Sequence, residues 1–288
     1  MTARQDFWRS EASLGAALPR VSRMSRHGPE VKERVLELLA GGGINEGEIL
    51  AVVEAGSTAH AISVGSDDLD FTVVRVEPFD ELVVGDPKRQ SMMLRTKPNG
   101  VRSQPGDIDL QVYTFRRFVS LATAGNPSVL MILFAPDELR LIDNGFPGRR
   151  IAELTRSSRA AASYQGYMER QLDKWIGGSG KAGGRSELVE AHGYDTKFAS
   201  HAIRLGLQGI EYLTTGALTL PMSEPVAGRI RDVRRGVICE ANALEWAREL
   251  QEQLDVAALE TTLPESPDAS AIQESVAGFY ADRYGLGR

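Results

Sequence analysis

Only one cysteine, Cys239, stands in 288 residues. A lone thiol excludes an internal disulfide framework and suits a reducing compartment, and no Cys/His cluster is present to hold a structural zinc ion. Long apolar runs are also missing. The longest, around Val129 to Ala135, falls well short of the ~20 residues a membrane-spanning helix needs. The N-terminus carries Arg4, Arg9, Arg20, Arg23 and Arg26 against Asp6 and Glu11, without the apolar stretch of a secretory signal. Residues 1–28 are therefore expected to be a flexible basic extension, and the protein cytoplasmic, with no membrane partner. An excess of positive charge is lacking too. A formal net charge of −6 argues against a general nucleic-acid coating protein, but a local basic patch would still let an enzyme grip one end of a nucleic acid. At 42% hydrophobic residues the chain can bury one large core or two modest ones.

Hydrophobic spacing divides the rest into two halves. Pro29 to Leu39 reads as a helix, with Val31, Val35 and Leu38/Leu39 on one face, ended by Gly41-Gly42-Gly43. Ile49 to Ala55 reads as a buried strand running into a turn at Gly56. Thr72, Val73, Val74 and Val76 make Asp68 to Val76 a second strand. Pro78 to Gly106 is polar and turn-rich, and reads as surface loops. Asp107 to Tyr113 alternates: Ile108, Leu110 and Val112 point one way, Asp107, Asp109, Gln111 and Tyr113 the other. Phe115 to Ala124 has helical spacing, and Asn126-Pro127 reads as a helix cap followed by proline at the first helical position. Beyond Ile151 the signal is almost wholly helical, strongest at Thr196 to Leu213 and Glu240 to Leu259. The expected fold is α+β, with a catalytic half over 29–150 and a helical half over 151–288.

Asp68 and Asp70, two residues apart on a strand, project to one face and offer hard oxygen ligands to magnesium. Asp109, on the acid-bearing face of another strand, can complete a site for two ions. Upstream, Gly56 permits close backbone approach to a phosphate, and Ser57 adds a hydroxyl. Each piece is common alone; the ordered combination is specific.

Gly56-Ser57 followed by Asp68-Leu69-Asp70 resembles the signature of the DNA polymerase beta-like nucleotidyltransferase superfamily. Gly56-Ser57-Thr58-Ala59 with Ser66-Asp67-Asp68-Leu69-Asp70 is similar to a bacterial and phage branch that includes RNA-repair-associated members. Agreement continues through Asp109 to Phe118, Gly125-Asn126-Pro127 and Gly193-Tyr194-Asp195-Thr196-Lys197 with His201 and Arg204. It spans roughly Ile49 to Gly236. The resemblance implies a polymerase beta-like palm, with a small mixed sheet, followed by an all-helical domain. It also implies that Asp68 and Asp70 bind two Mg2+ (or Mn2+) ions, and that Asp109 binds the catalytic one and helps deprotonate the nucleophile. Gly56, Ser57 and Ser66 would then contact the nucleotide. Two departures stand out. His60-Ala61 replaces a glycine expected a few residues after Ser57, and Asp67 adjoins the pair, although spacing to Asp70 selects Asp68.

In the helical half, Lys197, His201, Arg204, Gln208 and Glu211 share one helix face, while Ala199, Ile203, Ile210 and Leu213 occupy the core face. Periodicity alone leaves the polar face solvated; the resemblance assigns Lys197, His201 and Arg204 to nucleotide or acceptor phosphates. Arg229, Arg231, Arg234 and Arg235 are either a surface helix face or a wall for a polyanionic acceptor. The Gly-rich stretch 177–184 is a flexible loop, since Trp175 and Ala182 break a P-loop pattern. Cys239 is expected to be packed and inert. The expected activity is metal-dependent transfer of a nucleoside monophosphate from an NTP or dNTP to an acceptor hydroxyl, with an RNA end, such as a tRNA 3′ end, as leading acceptor. A protein hydroxyl or a small molecule are the other acceptors, and a non-catalytic nucleotide-binding protein is the rival class.

Overall fold

The computed structural model describes residues 26–65, 68–85, 89–98, 100–177 and 186–286. Most of the N-terminal extension, Ser66, and the Gly-rich stretch from 178 onward lie outside them. Five strands form one mixed sheet: β1 (Ile49–Glu54), β2 (Leu69–Arg75), β3 (Ser91–Arg95), β4 (Ile108–Thr114) and β5 (Arg140–Asp143), in the order β3-β4-β2-β1-β5. Only β2 and β4 run parallel; the other neighbours are antiparallel. The alternation expected over Asp107 to Tyr113 is realised in β4, where Ile108, Leu110 and Val112 are buried on one face. There they meet Phe71 and Val73 of β2 and Val35 and Leu39 of helix α1 (Pro29–Gly41). Each such side chain contributes roughly 1.5–3 kcal/mol by leaving water.

The other sheet face turns toward the remaining helices: α2 (Gly56–Ala59), α3 (Phe79–Val84), α4 (Phe115–Thr123), α5 (Pro127–Leu133), α6 (Gly148–Thr155), α7 (Ala160–Gly177), α8 (Ser186–His192), α9 (Thr196–Thr215), α10 (Glu224–Arg234), α11 (Glu240–Glu260) and α12 (Ala269–Tyr284). The cap expected at Asn126 forms: its side chain accepts from the Ser128 amide at 3.0 Å. α9 is the axis of the helical layer, capped by Asp195, whose carboxylate accepts from the amides of Lys197 and Phe198, both at 3.0 Å. Two glycines let it sit close to its neighbours: a Cβ on Gly206 would lie 2.9 Å from Leu250 Cβ, and one on Gly209 would lie 3.0 Å from Tyr164 Cβ. A single apolar cluster joins Val53 and Val74 of the sheet to Tyr164, Ile203 and Leu250, so the core is continuous across position 150. Just beyond the C-terminal end of β2, the Tyr280 hydroxyl of α12 donates to buried Glu77.

Three elements inside the segments read as surface loops or unassigned are regular: α3 and β3 fall within Pro78 to Gly106, and β5 lies beyond α5. β3 and β5 are edge strands of five and four residues, too short to establish a period. Cys239 is exposed at the N-cap of α11, which corrects the expectation that it is packed. Among the described residues, no helix is long and apolar enough to cross a membrane.

The described end of the N-terminal extension is anchored. Arg26 and His27 both hydrogen-bond the carboxylate of Glu54, a fully buried residue at the end of β1, with Arg26 Nε donating at 2.6 Å and His27 Nε2 at 2.7 Å. Burial would raise the Glu54 pKa, but the bonds from His27 and Arg26 outweigh it and hold the carboxyl at about 2. A pKa depressed in the folded state contributes stability that is present above pH 4.5 and lost as pH falls toward 2, about 3 kcal/mol in all. Urea unfolding of wild type and Glu54→Gln should therefore show stabilities that converge as pH drops from 5 to 2. Parallel profiles would show that this latch carries no stability.

Candidate functional site

The register of the sheet assembles the acidic cluster. β2 and β4 pair in parallel with Asp70 opposite Asp109, and β4 pairs with β3 so that Asp109 faces Arg95. Asp68 precedes β2 by one residue and shares the face of Asp70. One carboxylate oxygen from each of Asp68, Asp70 and Asp109 lies within 4.8 Å of the others. Three half-exposed carboxylates this close are hard oxygen donors arranged for a divalent cation, and their mutual repulsion is what such an ion relieves. Asp109 is held in place from behind: Arg95 Nε donates to it at 3.0 Å, and the Ser103 hydroxyl lies 3.0 and 3.1 Å from its two oxygens.

β1 delivers Gly56 and Ser57 to the same place. Gly56 has φ +66, and a Cβ there would fall 2.1 Å from Asp70 Oδ2. Only glycine lets the backbone lie against the carboxylate. The expected turn after β1 is a single helical turn, α2. It ends at His60 and at Ala61, whose φ of +60 is the left-handed conformation that glycine adopts without strain. Where the motif departs from glycine, Ala61 thus holds a left-handed conformation.

His60 is 2% exposed and has a structural partner that its sequence position does not reveal. Arg204 Nη1 of α9 lies 3.1 Å from His60 Nε2 and donates to Gln208 Oε1 at 2.8 Å; Gln208 Nε2 is 3.4 Å from His60 Nδ1. Because a guanidinium can only donate, Nε2 accepts and the ring proton belongs on Nδ1, so the 3.4 Å approach of the Gln208 amino group to Nδ1 is a contact and not a hydrogen bond. Burial, with Arg204 and His201 beside it, holds the His60 pKa well below its ordinary value, so the ring is neutral. Burial also lowers the Arg204 pKa to about 10, leaving it charged at neutral pH; its hydrogen-bond partners are both neutral.

Asp70, Asp109, Gly56 and Ser57 open onto one cavity of about 390 Å³. His201 and Arg204 line its helical side, whereas Lys197, in the first turn of α9, does not line it. The polar face of α9 is therefore no solvated surface: Gln208 is 2% exposed and Arg204 half-buried. Of the sequence-derived set, the structure brings together the three aspartates, Gly56, Ser57, His201 and Arg204; Ser66 lies outside the described residues. The arginine cluster divides, with Arg229 and Arg235 exposed and Arg231 and Arg234 turned to the loop after α2. Arg231 and Arg234 donate to the carbonyls of Ala61 and Ile62, at 2.5 and 3.0 Å, and Arg229 stacks 4.1 Å over Trp246. Residues that sequence reasoning did not assign also line the cavity, among them Thr72, Gln111, Tyr113, Tyr167 and Gln171. Gln111 and Tyr113 carried a signal, since they share the strand face of Asp109. Tyr167 and Gln171 carried none, because helical periodicity does not say which helix covers the sheet.

A profile of the RNA repair pathway DNA polymerase beta family (RlaP) matches residues 30–266. An uncharacterized 38.9 kDa protein of Enterobacteria phage T4 is 27% identical over 126 residues, 42% of this chain, and the match spans only 36% of the phage protein. Among solved structures, spectinomycin adenyltransferase AAD(9) from Enterococcus faecialis, crystallised with ATP and spectinomycin, aligns over 80% of this chain and all of its own, at 14% identity and a TM-score of 0.42. A nucleotidyltransferase-like protein from Exiguobacterium sibiricum aligns over 81% of this chain and 75% of its own, at 10% identity and a TM-score of 0.30.

Proposed function

The chain belongs to the RNA repair pathway DNA polymerase beta family and is a nucleotidyltransferase, and we propose that it moves a nucleoside monophosphate from an NTP or dNTP to an acceptor hydroxyl. The observation that carries this reading is the meeting of Asp68, Asp70 and Asp109 within 4.8 Å at the mouth of a cavity that also holds Gly56, Ser57 and Arg204. These carboxylates would hold divalent magnesium, which would neutralise charge on the phosphates and acidify the attacking hydroxyl.

The residues divide the remaining work. The backbone at Gly56 and the Ser57 hydroxyl accommodate the triphosphate at the end of β1. Arg204, charged and, among the described residues, hydrogen-bonded to neutral His60 and Gln208, balances the β- and γ-phosphates; those two partners fix its direction. His201 adds a further ring donor on the same wall. Asp109 accepts the proton of the acceptor hydroxyl as its oxygen bonds the α-phosphorus. The bond from that phosphorus to the bridging oxygen breaks in line, and pyrophosphate departs. In this reading 29–150 supplies the carboxylates and 151–288 the cationic wall, in a cytoplasmic enzyme. The acceptor that the family description favours is an RNA end, such as a tRNA 3′ end.

The test is incubation with each α-labelled NTP, magnesium and three acceptor pools: RNA with a free 3′ end, total protein, and small metabolites. Label entering RNA, with stoichiometric pyrophosphate and complete loss on EDTA treatment, is the expected result. Label in protein or in small molecules would reassign the acceptor. No pyrophosphate release with any pool would overturn transfer and leave a nucleotide-binding protein.

A further inference from the structure

The cavity changes character along the strands. In the sheet register, Asp70, Asp109 and Arg95 form one row; Thr72, Gln111 and Met93 form the next; Val74, Tyr113 and Ser91 form a third. Rows on one face are ~6.7 Å apart, so Tyr113 lies roughly 13 Å along β4 from Asp109, a distance that a ribose and its base can span. Tyr167 and Gln171, one turn apart on α7, line the same cavity. The far end thus offers two tyrosine rings, suited to a flat heteroaromatic ring, beside amide groups suited to its edge.

The amides are unequal. Gln111 Nε2 lies 3.1 Å from Ser91 Oγ, 3.3 Å from the Met92 carbonyl and 3.5 Å from the Val112 carbonyl. Two carbonyls can only accept, so they fix the amino group toward the protein. The bond to Ser91, the cross-strand partner of Tyr113, also draws the amide toward the third row. Oε1 of Gln111 has no donor among the described residues. It is a half-buried acceptor beside the ring site, and pairing satisfies such a group. It complements an exocyclic amine and opposes a carbonyl.

We propose that this end of the cavity binds the nucleobase of the donor nucleotide and that Gln111 selects a base with an amino group at purine C6 or pyrimidine C4, adenine or cytosine, over guanine or uracil, which carry a carbonyl there. This rests on the nucleotidyl-transfer reading of the site, but it is tested by binding and does not depend on turnover. Affinities of the full chain with magnesium would be measured for ATP, CTP, GTP, UTP and inorganic tripolyphosphate. ATP and CTP should bind at least tenfold tighter than GTP and UTP. Gln111→Leu should erase that discrimination, and Tyr167→Ala should weaken ATP by about tenfold while leaving tripolyphosphate unchanged. Thermal unfolding of both variants checks that they fold, and Tyr167→Phe, which keeps the ring, should retain ATP affinity. Equal affinity for the four nucleotides, a preference for GTP or UTP, or ATP binding indifferent to both variants would overturn the base site. Indifferent binding combined with poorer use of an RNA ending in A or C would overturn it in favour of an acceptor base. In each case, intact magnesium-dependent tripolyphosphate binding would leave the nucleotidyl-transfer reading standing; loss of that binding as well would sink both.

Discussion

Asp70→Asn, an isosteric change, should reduce nucleotidyl transfer by on the order of 10³-fold or more while the protein keeps its fold. Asp70 is half-exposed and sits at the centre of the register: Asp109 is opposite it on β4, Asp68 lies two residues before it, and Gly56 packs against its Oδ2. Replacing one carboxylate oxygen by an amide nitrogen removes a unit of charge from a cluster proposed to hold a divalent ion. The loss should appear in kcat, and magnesium titration should show a raised half-saturation. Asp109→Asn should lose turnover equally, but with a smaller change in magnesium affinity, because its proposed additional role is to take the hydroxyl proton. Arg95 and Ser103 would still hydrogen-bond the amide oxygen, so the fold around it persists. Activity of Asp70→Asn within tenfold of wild type would remove the acidic cluster from the mechanism.

Gly56→Ala should cost at least 100-fold in turnover although it adds a single methyl group. At φ +66 an alanine carries roughly 1–2 kcal/mol of backbone strain. Beyond that strain, the methyl would overlap Asp70 Oδ2 at 2.1 Å. Either the carboxylate rotates out of the cluster or the strand end moves away from the phosphates. The strain alone would lower Tm by a few degrees in a chain of this size. A variant that is folded, weak in magnesium binding and nearly inactive is the expected result. Ser57→Ala, which removes a hydroxyl without crowding, should show a much smaller defect; equal defects in the two would mean that the contact with Asp70 is unimportant.

Much of this geometry was legible in the residues themselves. Strand alternation over Asp107 to Tyr113 put Asp109 on the face away from Ile108, Leu110 and Val112, and β4 keeps that arrangement. Spacing two apart placed Asp68 and Asp70 together, and the helices over Thr196 to Leu213 and Glu240 to Leu259 follow from their apolar stripes. What was not legible depends on contacts between distant segments. Nothing near His60 announces that it meets Arg204, or that the arginines of α10 reach the carbonyls of Ala61 and Ile62. The edge strands β3 and β5 owe their conformation to β4 and β1 rather than to their own short sequences. Periodicity alone leaves the polar face of α9 solvated for the same reason: it finds a polar stripe but not the cavity that the stripe borders.

The supports of the loop after Gly56-Ser57 come from far along the chain: Arg204 for His60, Arg231 for Ala61, Arg234 for Ile62. During synthesis, from N- to C-terminus, the sheet strands emerge well before these arginines do. Contacts so remote in sequence form late, since a long loop must close before any of them can stabilise the chain. The proposed nucleotide site is accordingly expected to mature last on the ribosome, after α10 is translated. A nascent chain stopped short of α10 would carry all three aspartates and still lack a formed loop after Ser57.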